Sequence, residues 1–117
     1  MPSREFELRI QDMLTEIEVV EDTVKDLNFE TFAQNQQALR VILYGLAVIG
    51  EAVAKTIDEL ETQDSNIPWR QIRGLRNMVI HEYFRVDLVL IWQTIQEDLP
   101  MLKESLLHIQ NNLRDTK

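Results

Sequence analysis

The apolar positions of this 117-residue chain fall three and four apart along most of its length, the spacing of one face of an α-helix. Phe6, Ile10, Met13, Ile17, Val20, Val24 and Leu27 repeat with spacing 4-3-4-3-4-3, a narrow seam of the kind buried in helix bundles. Leu8, Leu14 and Val19 widen that seam. Ser3 stands where an N-cap belongs, and the pattern stops at Asn28. Thr31-Phe32-Ala33-Gln34 has capping-box spacing and opens a second helix that runs to about Leu60. This helix carries one stripe of Leu39, Ile42, Leu46, Ile49, Val53, Ile57 and Leu60, and another of Val41, Val48 and Ala52. A doubly striped helix is central in its bundle or also faces a second subunit. Gly45 and Gly50 each cost roughly 1 kcal/mol in a helix interior, and a close backbone crossing would account for their presence.

Residues 63–66 form a polar break. Pro68 suits the first turn of a short third helix with Ile72, Leu75 and Val79 pointing inward. The period falters near His81, and Asp87 is the next plausible N-cap. A fourth helix then carries Leu88, Ile91, Trp92, Ile95 and Leu99. Pro100 kinks it or starts a new turn, after which Met101, Leu102, Leu106, Ile109 and Leu113 continue the pattern. No strand alternation, internal repeat or low-complexity stretch is present. The expected fold is all-α, an antiparallel bundle of four to five helices in a single helical domain over residues 1–117.

Composition narrows the chemistry. With no Cys, disulfides, thiolate metal sites and thiol nucleophiles are excluded, and two His make a multi-His metal site within one chain improbable. The longest apolar run, residues 41–50, is too short to span a bilayer, and the opening MPSREFELRIQD is charged from residue 4, unlike a signal peptide. A cytoplasmic protein without a membrane association is expected. The net charge of −8 argues against general affinity for nucleic acid. It is uneven, however. Residues 68–86 hold Arg70, Arg73, Arg76 and Arg85 against the single acid Glu82, a local +3 that leaves −11 on the other 98 residues. A basic island on an acidic chain is a candidate anion site.

Within that island, Arg76, His81 and Tyr83 are the concentrated signal. Histidine exchanges protons near neutral pH, and arginine offers a fork of donors suited to phosphate. On an ideal helix Arg76 and His81 lie about 140° apart, so they converge only if the helix bends or ends between them, whereas Arg76 and Tyr83 share a face. Other candidates carry less. Glu51 is expected as a partly exposed helix acid, with an approach to the site or pairing to an arginine as the other option. Tyr44, Trp69 and Trp92 are expected to pack, and His108 to lie on the surface. Glu97-Asp98 lacks any histidine, so no metal site is expected.

Arg76-x4-His81, with Asn77 after the arginine and Tyr83 two after the histidine, resembles the motif of the HEPN superfamily. Ile49-Gly50-Glu51-Ala52, Ile67-Pro68-Trp69, Arg76-Asn77, His81-Glu82-Tyr83-Phe84, Val86-Asp87, Trp92 and Asp98-Leu99-Pro100 are similar, in order and spacing, to the HepT-like family. The resemblance covers nearly the whole chain. It implies the toxin of a two-gene toxin–antitoxin system, a metal-independent endoribonuclease that needs no cofactor. It further implies a homodimer, or a higher oligomer, with two motifs facing each other. The implied partner is a minimal nucleotidyltransferase antitoxin that silences the toxin by AMPylation of Tyr83. On this reading Arg76 holds the phosphate of an RNA substrate, His81 moves a proton and Asn77 orients one of them. Arg70, Arg73 and Arg85 guide RNA to the site. The alternative is a noncatalytic dimeric module that binds and regulates the nucleotidyltransferase, a use of the same bundle that the acidic charge suits.

Overall fold

The computed structural model describes residues 3–77 and 87–115, so Val79, His81, Tyr83 and Arg85, and with them the relation of His81 and Tyr83 to Arg76, lie outside the described residues. Helix α1 spans Arg4–Val24, with the Ser3 Oγ accepting from the Phe6 amide at 3.1 Å, the cap expected from the sequence. Phe6, Ile10, Met13, Leu14, Ile17, Val20 and Val24 are all buried. Leu8 and Val19, expected to widen this seam, are instead about half exposed, because both fall on the edge of the helix turned away from its neighbours.

One expected helix proves to be two. Helix α2 is Phe29–Ala33, and its cap is Asn28, not Thr31. The Thr31 amide donates to Asn28 Oδ1 and the Asn28 amide to Thr31 Oγ1, each at 2.9 Å, so Thr31 is the reciprocal member of the capping box. The chain then breaks at Gln34, and Asn35 caps helix α3, Gln36–Gln63, by accepting from the Ala38 amide. Each asparagine satisfies an amide that a continuous helix would have bonded itself, which is how such side chains compete with helix.

Helix α3 packs on α1 along its length and on helix α4, Trp69–Arg73, near its middle. Ile42, Leu46, Ile49, Val53 and Leu60 are buried as expected, and so is Ala52. By length and composition α3 would also pass for a membrane-crossing helix; half of its most apolar window is buried inside the bundle, and its contacts with α1 and α4 account for that half. Thr56 has non-helical torsions (φ −134°, ψ 22°) within α3, and its hydroxyl donates to the Ala52 carbonyl at 2.7 Å, the back-bonding that bends helices.

The turn from α3 to α4 is built around Asp64. Its Oδ1 accepts from the Asn66 amide, its Oδ2 from the Ser105 hydroxyl at 2.7 Å, and its backbone carbonyl from the indole N–H of buried Trp69 at 2.7 Å. Pro68 is the N-cap of α4 rather than a member of its first turn. Gly74 ends α4, and residues 75–77 are helical again.

Asp87 caps helix α5, Leu88–Gln93, as expected, by accepting from the Leu90 amide. The rod continues through a π turn, Thr94–Asp98, into helix α6, Leu99–Asp115. Pro100 stands in the first turn of α6, the new helix that starts at Leu99, one of the two outcomes expected of it. It has no N–H to give to residue 96, and the wide turn ahead of it, closed by the Leu99 amide on the Thr94 carbonyl, takes up the mismatch. Trp92 packs on Phe32 (ring centroids 5.0 Å) and edge-on to Phe29 (6.3 Å), tying α5 to α2. The buried faces of α1, α3 and the α5–α6 rod, with Phe32, Trp69 and Ile72, make one core. Counting that rod once, the described residues form five helices with a further turn at 75–77 and no strand.

Candidate functional site

The site grows from the crossing of α3 and the segment that follows α4. A methyl group at Gly50 would lie 2.6 Å from the Arg76 amide nitrogen, 3.0 Å from Arg76 Cβ and 3.2 Å from the Arg73 carbonyl. Real Cβ atoms do not approach backbone so closely. Gly50 thus lets the Arg76 main chain lie directly on α3, the close crossing its position in the sequence called for. At Gly45 the corresponding contact is with a side chain, Val20 Cγ2 at 2.9 Å.

One residue on, Glu51 meets the arginine itself. Its Oε2 forms an ion pair with Arg76 Nη1 at 2.8 Å, and Lys55 Nζ lies 3.8 Å from its Oε1. The Arg76 side chain is 48% exposed and that of Glu51 35%, so the pair lies at the surface with about half of the arginine side chain open to solvent. A partly exposed pair of this kind contributes roughly 0–1 kcal/mol to stability; its main effect is on direction. The sequence favoured a partly exposed acid at 51 over an arginine partner, and the structure has both. A glycine immediately before a lone acid on an otherwise apolar stretch was the signal for it.

Other candidates fall as follows. Asn77 is exposed beside Arg76. Arg70 and Arg73 are exposed on α4, and Arg70 Nη2 lies 3.8 Å from Glu61 Oε1. His81, Tyr83 and Arg85 lie outside the described residues. Trp69 and Trp92 pack as expected, and His108 is exposed. Tyr44 does not join the core: it is 66% exposed. It shares a face of α3 with exposed Val41, half-buried Val48 and Glu51 at intervals of three and four, and that face is turned away from the buried stripe against α1. Among the described residues no group of three or more His, Asp and Glu is arranged to hold a metal ion.

What the arrangement offers is a fixed cation, open on one side, beside an apolar helix face. A half-exposed guanidinium is a ready partner for a phosphate oxygen.

Comparison with known proteins agrees with this chemistry. Residues 13–109 match the family model described as HepT-like, ribonuclease HepT-like. A protein of Methanocaldococcus jannaschii named as a candidate RNase is 31% identical over 104 residues, covering 89% of this chain and 95% of the relative. Another, from Caldanaerobacter subterraneus subsp. tengcongensis, is 35% identical over 100 residues, covering 86% and 89%. A Thermococcus cleftensis relative named "Probable ribonuclease HepT" is 32% identical over 94 residues, covering 80% and 86%. No solved structure matches the chain significantly. With a family model spanning most of its length and relatives of nearly the same extent, the chain belongs to the HepT-like ribonuclease family.

Proposed function

We propose that this chain is the toxin of a two-gene toxin–antitoxin system, a metal-independent endoribonuclease acting in the cytoplasm as a homodimer. The observation that carries this reading is the half-exposed Arg76 guanidinium, seated on Gly50 and turned by Glu51, in a chain of a ribonuclease family. In RNA the 2′-oxygen attacks the adjacent phosphorus and the 5′-oxygen of the next nucleotide leaves, giving a 2′,3′-cyclic phosphate and a 5′-hydroxyl. Arg76 binds the phosphate and offsets the charge that grows on it. His81 of one copy takes the 2′-hydroxyl proton, and His81 of the other delivers one to the leaving oxygen. Asn77 orients the pair. Arg70, Arg73 and Arg85 draw RNA toward an otherwise acidic surface. The exposed face of Val41, Tyr44 and Val48, which ends at Glu51, supports a second copy meeting the first beside the site. AMPylation of Tyr83 by a minimal nucleotidyltransferase partner would place a phosphodiester and a nucleotide in the groove, a tethered competitor at high effective concentration.

His81→Ala and Arg76→Ala test the assignment. Each should lower RNA cleavage by roughly 10²–10⁴-fold in a protein that stays folded and dimeric by light scattering, and chelators should leave the wild type active. Co-expression with the nucleotidyltransferase should add AMP to the wild type and not to Tyr83→Phe, read by mass spectrometry. Cleavage that persists in both variants, or no cleavage by the wild type, turns the reading to the noncatalytic module that regulates the nucleotidyltransferase.

A further inference from the structure

We infer that Glu51 is a positioning residue for Arg76: its carboxylate fixes which edge of the guanidinium is presented to the scissile phosphate. This rests on the ribonuclease reading above and adds a residue to it.

Three observations carry the inference. The Arg76 main chain is pinned to α3 at Gly50, so the base of the side chain has little freedom. The tip is then tied back to the next residue of the same helix by the 2.8 Å contact of Nη1 with Glu51 Oε2. Arginine has five N–H donors in a rigid planar fork. Holding Nη1 against Glu51 orients that fork, so that its Nε–Nη2 edge is the one presented to a phosphate oxygen. The pair is also too exposed to be a stability device. Glu51 has a second cation near, Lys55 at 3.8 Å, which holds the carboxylate itself in place without reaching its Oε2. An acid beside a phosphate-binding arginine repels the substrate, so its presence is a cost to binding that orientation must outweigh.

That balance gives the test a distinctive form. An oligoribonucleotide cleaved by the wild type, selected from a mixed-sequence pool, serves as substrate for Glu51→Gln, Glu51→Ala, Arg76→Ala and the Glu51→Ala/Arg76→Ala double variant. Glu51→Gln keeps an acceptor oxygen and should lower kcat by about 10-fold, while Glu51→Ala, which frees the fork, should lower it by about 100-fold, the cost of small misplacement in a reacting site. KM should stay level or fall, because an anion beside the substrate phosphate is gone. Since Glu51 acts only through Arg76, the double variant should be no slower than Arg76→Ala alone. Thermal melting should be the same for all. A merely structural acid would move melting and leave the kcat-to-KM split and the non-additivity absent. Wild-type kcat in both Glu51 variants, with Arg76→Ala inactive, overturns the positioning role and leaves the ribonuclease reading standing. Full activity in Arg76→Ala, or no RNA cleaved by the wild type, overturns both.

Discussion

Along the α1–α3 seam, position is fixed by volume. Ile10, Met13, Ile17 and Val20 on one helix, and Ile42, Leu46, Ile49 and Val53 on the other, are fully buried, each contributing about 1.5–3 kcal/mol of transfer free energy with no single contact deciding the geometry. At the Arg76 corner, position is fixed by two contacts. One is a missing methyl group at Gly50 and the other an ion pair at Glu51. The seam should resist polar surface changes and respond to cavities. The corner should be nearly silent in stability and sensitive in function. Family membership attaches to both regions, but only the corner offers reactive chemistry to solvent.

The largest expected effect lies in the seam. Leu46 is fully buried at the centre of α3, and Leu46→Ala should cost about 2–5 kcal/mol through lost transfer energy and the cavity left behind, read as a fall in urea midpoint. Arg76→Ala, a half-exposed side chain with one ion pair among the described residues, should stay within about 0.5 kcal/mol of wild type. Equal losses in the two variants would erase the distinction between seam and corner.

The two glycines of α3 sharpen the comparison, because both sit in one helix and differ only in what they face. At Gly50 an added methyl meets backbone, the Arg76 amide at 2.6 Å, and backbone cannot yield without moving the whole segment. Gly50→Ala should cost about 1–3 kcal/mol and displace Arg76, so that RNA cleavage falls with it. At Gly45 the methyl meets the Val20 side chain at 2.9 Å, and the helix gains roughly 1 kcal/mol of intrinsic propensity from alanine. Gly45→Ala should therefore remain within about 1 kcal/mol of wild type and keep full cleavage. Denaturation midpoints and cleavage rates measured on both variants decide it; equal behaviour would mean that the crossing at residue 50 is not what holds Arg76.

The sequence made the seam legible because a helix buried on one side must repeat its apolar residues every three or four positions, and Phe6 through Val24 do so without exception. Ser3 was legible as a cap because a short hydroxyl side chain stands three residues ahead of Phe6, the first member of the seam, and Asp87 because it stands directly before the apolar run of residues 88–92. The split at Asn28 and Asn35 was not. Thr31 has the right spacing to be a cap, and only the three-dimensional path of the chain decides that Asn28 takes that role and Thr31 the reciprocal one. Tyr44 was misread because period alone cannot say which of two stripes faces a neighbour and which faces outward. The π turn at Thr94–Asp98 leaves no mark in the sequence beyond the proline that follows it in the first turn of α6. At the corner, the basic island, Gly50 and the lone acid Glu51 after it were visible, but which arginine Glu51 meets shows only in what packs opposite it.

The smallest effect concerns a contact between the outer helices of the bundle. Lys103 Nζ on α6 donates to Glu21 Oε1 on α1 at 2.8 Å. That hydrogen bond and the Glu21 charge, with Glu18 and Asp22 adding to it, hold the Lys103 ammonium above its ordinary value of 10.5, against a small opposing effect of burial. The sign follows from linkage. A group whose folded pKa is raised contributes stability that is fully present below the unfolded value and lost as pH rises through the folded one. Both side chains are more than a third exposed, so the contribution is small and screened by salt. Lys103→Met should lower the urea midpoint slightly at neutral pH in dilute buffer. That difference from wild type should shrink as pH rises past the lysine range, and shrink also in about 1 M salt, where the screening length is only ~3 Å. A difference that stays the same as pH and salt rise would show that Lys103 acts through the packing of its alkyl stem, and the contact between α1 and α6 would then belong with the seam, governed by volume, and not with the corner, governed by charge.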